Sequence, residues 1–431
     1  MKNKKKFYLA LVIFSLVGQV AWVVENMYLN VFIYKMFNAS AEQISLMVGA
    51  SAAAATVTTL LIGALSDKVG RRKAFICGGY ILWGISILGF AAIREDWIHS
   101  AFFPMVSSNV AALSLCINLT IALDCLMTFF GSSANDAAFN AWLTDSTDET
   151  NRGKVEGINA MMPLVAILVV FGGFMGLNQD FQESWTVIFC VIGGVVVALG
   201  IAGFFLIEDT AVKAEGNGNY FANIFYGFRP GVIRENKRLY IGLVVYTLFN
   251  IAIQIYMPYL ILYYNVSLKM DNYVLIMAPA IILAAVFTAI YGRVYDKKGF
   301  GFAIIPVMAL LMGGFAILYL FKDTILVFIG SLLMMCGYLS GMAVFGALIR
   351  DYTPENKAGM FQGLRICFQV LIPGIVGPAI GAGVLKNAEK ILGDDGTYSF
   401  VPNENIFLAA LVAAAVTAAG LIPLCKMLKK K

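Results

Sequence analysis

Long apolar runs separated by short polar connections dominate the chain from end to end. A helix needs about 20 apolar residues to cross a hydrocarbon core about 30 Å thick, and a backbone exposed to lipid must satisfy its own hydrogen bonds. Strands of alternating polarity are absent from the sequence. The pattern therefore predicts an all-α integral membrane protein with twelve transmembrane helices, near 7–34, 44–66, 74–93, 115–142, 155–177, 185–207, 239–264, 272–292, 301–321, 325–348, 359–385 and 404–424.

Composition supports this fold class. Of the 431 residues, 60% are hydrophobic and 13% are charged, whereas soluble proteins have roughly 45–50% apolar and about 25% charged residues. This excludes a soluble multidomain enzyme, a disordered chain and a nucleic-acid binder. The seven cysteines form no CxxC pair, so we expect no disulfide framework, no metal site and no cofactor. The basic N-terminal hexapeptide precedes an apolar run without a small-residue cleavage site, which indicates a retained first span.

Basic residues are distributed unevenly between alternate connections. One set, which includes both termini, carries 24 Lys and Arg residues, and the opposite set carries 6; Arg365 lies within a span. Since basic residues concentrate in cytoplasmic loops, this bias predicts a multi-pass protein of the cell membrane with both termini in the cytoplasm.

The longest hydrophilic stretch, 208–238, falls halfway along the chain. Its first part is a turn-rich linker, and its second part alternates aromatic and basic residues, as an amphipathic helix on the membrane surface does. We interpret it as a tether between an N-terminal six-helix half, 1–207, and a C-terminal six-helix half, 239–431; a regulatory or lipid-sensing role is the alternative. The stretch 94–114 is predicted to be an external connection or an interfacial helix.

Two motifs repeat across these halves. The pattern G-x-x-x-D-K-x-G occurs at Gly63–Gly70 after the second span and at Gly292–Gly299 after the eighth, 229 residues apart. A second pattern pairs Asp145 with Gly157 and Asp351 with Gly363, each pair 206 residues from the other. Matches at corresponding places indicate two homologous halves.

The first motif suggests a gate. Its glycine permits close helix approach, its aspartate can cap a helix or pair with an arginine, and its basic residues anchor the turn at the membrane face. The predicted gating residues of this motif and its repeat are Gly63, Asp67, Arg71, Gly292 and Asp296.

The stretch GALSDKVGRRK resembles the loop signature of the major facilitator superfamily, and the 6+6 arrangement extends the resemblance over the whole chain. The resemblance implies alternating access to a midplane site between the halves. The stretches NDAAFNAWLTDSTDETNRGKVEG and ALIRDYTPENKAGMFQGLR are similar to the glycoside–pentoside–hexuronide cation symporters. The sodium-binding acidic residues of the second span in those symporters are absent here from ISLMVGASAAAATVTTLLIGAL.

Ionisable residues inside spans cost about 2.5–3.5 kcal/mol each on insertion scales, so each suggests a function. Glu25 shares a predicted helix face with Trp22 and Asn26, where a desolvated carboxylate suits proton carriage. Asp124 is the second candidate for coupling, or a counter-charge to Arg365. A structural hydrogen bond to a neighbouring helix is the alternative for both carboxylates.

Asp136 lies nearer the end of its span, with asparagines on either side, and we expect it to act in gating by pairing with Arg71. Arg365 can bind an anionic substrate, pair with a carboxylate or extend to the membrane surface. Amides and aromatics at helical spacing suit a hydroxylated ligand. The predicted substrate-binding residues are Trp22, Asn26, Tyr28, Tyr246, Asn250, Gln254, Arg365 and Gln369.

We therefore expect a monomeric secondary active transporter that takes up a small polar solute, such as a glycoside, together with a proton or another cation. Export of drugs or amphiphilic metabolites is the alternative within transport, and a membrane receptor is the alternative outside it. Enzyme activity is not expected, because His99 is the sole histidine and HExxH, GxSxG and P-loop motifs are absent. Apart from the solute and its co-transported ion, the expected partner is the lipid bilayer and not nucleic acid.

Overall fold

Helices account for most of the residues that the computed structural model describes, namely 4–69, 71–101, 108–147, 151–208, 226–270, 272–354, 358–392 and 398–429. Twelve of these helices are long and apolar enough to cross a membrane, as the hydrophobic pattern predicts. These spans are α1 Lys5–Phe37, α2 Ala41–Gly63, α3 Arg72–Phe90, α4 Asn109–Asp145, α5 Gly157–Phe174, α6 Gln182–Leu206, α7 Lys237–Ser267, α8 Val274–Lys298, α9 Phe300–Leu320, α10 Thr324–Tyr352, α11 Gly363–Leu385 and α12 Asn405–Leu428.

The connections hold short elements. A helix at Glu95–Ala101 occupies the predicted external connection. In the part of 208–238 that the structure describes, a 3-10 turn at Tyr226–Phe228 and a helix at Pro230–Glu235 stand where one longer surface helix was predicted; residues 209–225 lie outside the described part. Two short strands, β1 Lys390–Leu392 and β2 Tyr398–Phe400, pair between α11 and α12, a small departure from the all-α prediction.

The chain divides into two compact units. The first comprises Met1–Asn217 together with Leu392–Ser399, and the second comprises Gly218–Ile391 together with Phe400–Lys431. Six spans fall in each unit. The precise limits of the linker at 208 and 238 stay a prediction.

Small residues allow the helices of the first unit to pack closely. A Cβ added to Gly84 of α3 would come within 2.7 Å of the Gly193 carbonyl oxygen on α6, and a Cβ added to Gly193 would meet Leu88 at 2.8 Å. In lipid, association depends on van der Waals packing and not on the hydrophobic effect, so such contacts determine which helices pair. The equivalent device in the second unit is Gly337 of α10, which packs against the Leu311 backbone on α9.

Four spans contain a π-helical segment, where one extra residue widens the turn. They are Val24–Tyr28 in α1, Ser132–Phe139 in α4, Tyr263–Ser267 in α7 and Cys367–Leu371 in α11. Such segments frequently mark functional sites. Three of the four carry residues that the sequence predicts to be functional, among them Glu25, Asp136 and Gln369.

Candidate functional site

Four oxygen-bearing side chains form a buried group in the first unit, which we call the carboxyl cluster: Glu25 of α1, Ser51 of α2, and Asp124 and Thr128 of α4. The Ser51 hydroxyl lies 2.7 Å from Glu25 Oε1, and the Thr128 hydroxyl lies 2.9 Å from the same oxygen. The two hydroxyls are 2.7 Å apart. Asp124 precedes Thr128 by one helical turn, and its carboxyl group contacts Ser51.

The cluster lies deep in the spans. Ser51 is ten residues into α2, which corresponds to about 15 Å of helix and to the middle of a hydrocarbon core about 30 Å thick. Relative exposure is 7% for Glu25 and 1% for Asp124. Glu25 Oε2 and Asp124 Oδ1 are buried and have no hydrogen-bond partner among the described residues.

A count of hydrogen atoms shows what the carboxyl cluster lacks. The three oxygen–oxygen contacts among Glu25, Ser51 and Thr128 require three hydrogens, and each hydroxyl supplies one. The third hydrogen can be a proton on the Glu25 carboxyl group; alternatively, a cation can bind to the oxygens in place of hydrogen bonds. Glu25 Oε2 and Asp124 Oδ1, which have no partner among the described residues, also lack a hydrogen or a cation. The arrangement is therefore suited to take up a proton or a small cation.

The residues of the predicted face around Glu25 lie in different environments. Trp22 is half-buried and packs on Trp83 with ring centroids 4.9 Å apart, whereas Asn26 is exposed and its amide donates to the Trp22 carbonyl oxygen at 2.8 Å. Glu25 points into the unit. Tyr28 is 1% exposed and lies among the rings of Phe171, Phe174 and Trp185, in the packed interior of the first unit.

Asp136 has a different partner from the one predicted. Its Oδ2 accepts a hydrogen bond from Ser132 at 3.0 Å, one turn earlier in the π-helical segment of α4, so the expected pairing with Arg71 is not the contact observed. The neighbouring Asn135 donates to the Tyr80 hydroxyl at 2.6 Å, and Tyr80 donates to the Phe14 carbonyl oxygen at 2.9 Å. This chain of bonds fixes α4 to α3 and α1 beside Asp136.

Among the side chains that the structure describes at the first motif, the arginine in an ion pair is Arg72, whereas the predictions named Arg71. Arg72 is 4% exposed; its Nε lies 3.1 Å from Asp145 Oδ2, and a terminal nitrogen donates to Ser66 at 2.6 Å. Arg71 is exposed and precedes the first turn of α3. The Asp67 side chain lies outside the described part, and the Gly63 carbonyl accepts from Ser66 at 3.1 Å.

The second unit has a related contact. The Tyr295 hydroxyl at the end of α8 donates to the Asp351 carboxylate at the end of α10. Asp351 is the repeat partner of Asp145: Asp145 binds Arg72, just after the first motif, and Asp351 binds Tyr295, within the repeat of that motif. Asp296 is exposed, and a Cβ added at Gly292 would meet no atom within 4 Å.

A polar stripe along α7 runs through the second unit. Tyr246 stacks on Phe345 with centroids 5.0 Å apart, and its hydroxyl lies 3.3 Å from the Met342 sulfur. Asn250, 7% exposed, donates to the Tyr246 carbonyl oxygen at 2.9 Å. Gln254 packs closely against Gly377 of α11. The predicted i, i+4, i+8 stripe is therefore a continuous row, with its far end engaged in helix packing.

Arg365 and Gln369 form a pair on α11. Arg365 is exposed, and its Nε donates to Gln369 Oε1 at 3.1 Å. Gln369 Nε2 is buried and has no partner among the described residues. Nearby, the Thr247 hydroxyl donates to the Phe368 carbonyl oxygen at 2.8 Å and joins α7 to α11.

An apolar groove of about 630 Å³ also lies in the second unit. Side chains from α7, α11 and α12 line it, including Ile251, Ile380 and Val412. Its chemistry matches lipid acyl chains and not a polar solute.

Several residues of these contacts are not among those predicted from the sequence. Ser51 and Thr128 complete the carboxyl cluster, and Arg72 and Ser66 complete the motif contact. Thr128 had a usable signal, because it follows Asp124 by four residues and so shares its helix face. Ser51 lies in a run of small residues and had no such signal.

Twelve membrane-crossing helices in two units of six, with ionisable and polar side chains buried inside the spans, define a polytopic transporter. The sequence matches the profile described as the Major Facilitator Superfamily over residues 8–385. The chain belongs to this superfamily.

Two relatives are themselves described as uncharacterized MFS-type transporters. YqjV of Bacillus subtilis is 26% identical over 176 residues, which cover 41% of this chain and 37% of that protein. MJ1560 of Methanocaldococcus jannaschii is 23% identical over 377 residues, which cover 83% of this chain and 85% of that protein. Both similarities support membership of the superfamily.

Solved structures share the fold. The nucleoside transporter NupG superposes with a TM-score of 0.66 at 15% identity, over 100% of both chains. The xylose transporter XylE of E. coli gives a TM-score of 0.66 at 14% identity, over 95% of this chain and 97% of that chain. A bacterial homologue of the lysosomal transporter Spinster gives 0.69 at 13% identity, over 98% of both chains. These likenesses show the fold, and the match to the family profile identifies the protein as a major facilitator superfamily transporter.

Proposed function

We propose that this transporter carries a small polar, hydroxylated solute by alternating access of its two halves, and that the carboxyl cluster couples this movement to a proton or another cation. The observation that carries the coupling is the hydrogen deficit at Glu25, Ser51 and Thr128, with two further carboxyl oxygens lacking partners. Binding of one proton or one cation supplies the missing contact in the carboxyl cluster, and its release leaves that contact unsatisfied again.

Coupling requires that the ion change the energy of the helices that hold the site. The carboxyl cluster draws its members from α1, α2 and α4, so an ion bound there links three helices of one unit. When the ion leaves, two carboxyl groups with a shared neighbour repel each other in a medium of low dielectric constant. This difference between occupied and empty states is the free energy that a gradient supplies to transport.

The solute class follows from the polar face of the second unit and the tryptophan pair of the first. Tyr246, Asn250 and Gln254 carry hydroxyl and amide groups along α7, and the half-buried indole ring of Trp22, which packs on the buried Trp83, offers an apolar face. Sugars and glycosides present hydroxyls and apolar ring faces that suit both. Transporters named for xylose and for nucleosides share the fold, and we include both solutes in the test.

Gating is assigned to the motif contacts. We propose that Gly63, Asp67, Asp136, Gly292 and Asp296 act with Arg71 and with the observed Arg72–Asp145 and Tyr295–Asp351 contacts to stabilise one state of each unit and release it in another. We also propose insertion in the cell membrane as a monomer, with both termini in the cytoplasm; the 24 to 6 bias in basic residues supports this orientation.

The deciding experiment measures uptake of labelled glycosides, pentoses and nucleosides into proteoliposomes under imposed proton or sodium gradients. Glu25→Gln keeps the size of the side chain and its acceptor oxygen but cannot release a proton. We expect it to abolish gradient-driven accumulation while preserving exchange of labelled for unlabelled solute at equal concentration.

Glu42→Gln is the matched control, since Glu42 lies exposed in the first turn of α2; it should accumulate solute as the unsubstituted protein does. Full gradient-driven accumulation by Glu25→Gln would refute the coupling assignment. Gradient-driven extrusion in place of uptake would convert the proposal to export, and binding without any transport would identify a receptor.

A further inference from the structure

Hydrogen-bond donors without matching acceptors gather on one face of α11 in the second unit. Arg365 carries five N–H groups, and the contact that the structure gives it is the bond from Nε to Gln369. Its two terminal nitrogens have no ion-pair or hydrogen-bond partner among the described residues, although the guanidinium is always charged.

The other polar atoms around Arg365 are donors as well. Gln369 uses its acceptor oxygen on Arg365, and its amide nitrogen, which carries two hydrogens, is buried without a partner. The Tyr246 hydroxyl, which lies in electrostatic range of Arg365, donates to the Met342 sulfur at 3.3 Å. A thioether is a weak acceptor, so this hydroxyl is also available to a stronger one.

The bond to Gln369 directs the Arg365 side chain inward along α11. Arg365 is exposed and lies two residues into that span, which begins at Gly363. Its partner Gln369 lies one turn deeper, and Tyr246 is nine residues into α7. An arginine that extended to the surface would leave both. The guanidinium keeps this inward position with its terminal donors unused among the described residues, which leaves room for a ligand that accepts hydrogen bonds from them.

We propose that Arg365, Gln369 and Tyr246 form a binding site for an oxyanion, a carboxylate or phosphate group carried by the transported solute. A planar guanidinium with both terminal nitrogens available matches the two oxygens of such a group in a bidentate pair. The amide nitrogen of Gln369 and the Tyr246 hydroxyl then donate to the remaining lone pairs. This inference deepens the proposed function and rests on it in one respect: the oxyanion belongs to the solute.

Binding without any gradient tests the site separately from coupling. The purified full-length protein is titrated with acetate, inorganic phosphate, glucuronate and glucose 6-phosphate, with glucose and chloride at matched ionic strength as references, and thermal stabilisation is recorded. We expect at least one oxyanion to stabilise the protein where glucose and chloride do not. The carboxylate and phosphate arms identify which group is bound.

Arg365→Gln should weaken that binding roughly ten- to a hundredfold, since a charge-assisted hydrogen bond contributes about 1.5–3 kcal/mol. Arg365→Lys keeps the charge but cannot form a bidentate pair, so its affinity should fall between those of Arg365→Gln and the unsubstituted protein. Arg234→Gln, an exposed arginine on the short helix Pro230–Glu235, should bind as the unsubstituted protein does. Elution as a single folded species is required of every variant, and Arg365→Lys serves where Arg365→Gln fails to fold.

The inference is overturned if no oxyanion stabilises the protein beyond glucose and chloride, or if Arg365→Gln and Arg365→Lys both bind as tightly as the unsubstituted protein. These failures differ from failure of the proposed function. Gradient-driven uptake of neutral solutes together with no oxyanion binding would refute the oxyanion site and leave the proposed transport function standing. Arg365-dependent oxyanion binding without uptake would support the site and refute the proposed coupling.

Discussion

The carboxyl groups of Glu25 and Asp124 share a neighbour, Ser51, inside the membrane. Each carboxylate costs about 2.5–3.5 kcal/mol to insert when charged, and two that lie close together also repel each other. Packing alone does not require either one, because apolar side chains fill space in lipid at no such cost. The pair therefore supports the proposal that a proton or another cation binds there.

Two adjacent arginines provide a sharp test of the motif contact. Arg72 is buried against Asp145 and Ser66, whereas Arg71 is exposed. Removal of one member of a buried pair leaves the other charge uncompensated, at a cost of about 3–5 kcal/mol. We expect Arg72→Gln to lower the midpoint of thermal unfolding strongly and Arg71→Gln to change it little, as measured on purified protein in detergent.

Asp145→Asn should lower the midpoint less than Arg72→Gln, because Asp145 is the more exposed partner and its amide still accepts a hydrogen bond. Equal effects of Arg71→Gln and Arg72→Gln would show that the pair contributes nothing specific to the motif.

Residue type in an apolar run predicted the carboxyl groups, but it did not predict their partners. Glu25 and Asp124 stand out because a charge in a span is rare. Ser51 does not stand out, because serine and threonine in spans commonly bond to the carbonyl one turn earlier, as Thr56 does to Ala52 at 2.9 Å. Distinguishing the two cases requires knowing which helices are neighbours.

At the scale of the helix, the sequence of a spanning helix does not show which side faces the protein interior, because the helix is apolar on all sides. A soluble helix reveals its buried side through an apolar stripe, whereas a span is apolar on both its lipid and its protein side. The π-helical segment Val24–Tyr28 adds to the difficulty, because its extra residue shifts the register. Glu25 is buried and Asn26 is exposed; adjacent residues lie about 100° apart on a helix, and the apolar pattern did not show which of the two faces inward.

Close helix contact at α6 leads to a prediction with an adjacent control. A Cβ at Gly193 meets Leu88 at 2.8 Å and the Gly84 carbonyl oxygen at 2.9 Å, whereas a Cβ at Gly194 meets no atom within 4 Å. We expect Gly193→Ala to destabilise the protein by about 1–3 kcal/mol through overpacking, and Gly194→Ala to be neutral. Thermal unfolding of the two variants side by side measures this difference, and equal midpoints would mean that α3 and α6 are not closely packed.

Over the whole molecule, the two halves share their repeat but not their charges. At the 229-residue offset of the first motif, Glu25 corresponds to Gln254, which packs on Gly377 of α11. The first half carries the carboxyl cluster, and the second half carries Arg365. The repeat therefore predicts the common scaffold, since span lengths follow from hydrophobic thickness. It does not predict the chemistry, because the two halves differ at single positions such as Glu25 and Gln254, and these differences separate the proposed coupling site from the proposed solute site.

Orientation in the membrane is the property of the whole chain that its charges predict most directly. With 24 basic residues on one set of connections and 6 on the other, the positive-inside rule places the Lys298 end of α8 in the cytoplasm and the Asn272 end outside. Both positions are exposed and they flank the same span. In intact cells, a membrane-impermeant maleimide should therefore label Asn272→Cys but label Lys298→Cys only after permeabilisation. The unsubstituted protein sets the background from the seven native cysteines. Labelling in the reverse order would invert the topology, and the solute and ion directions assigned to the transporter would invert with it.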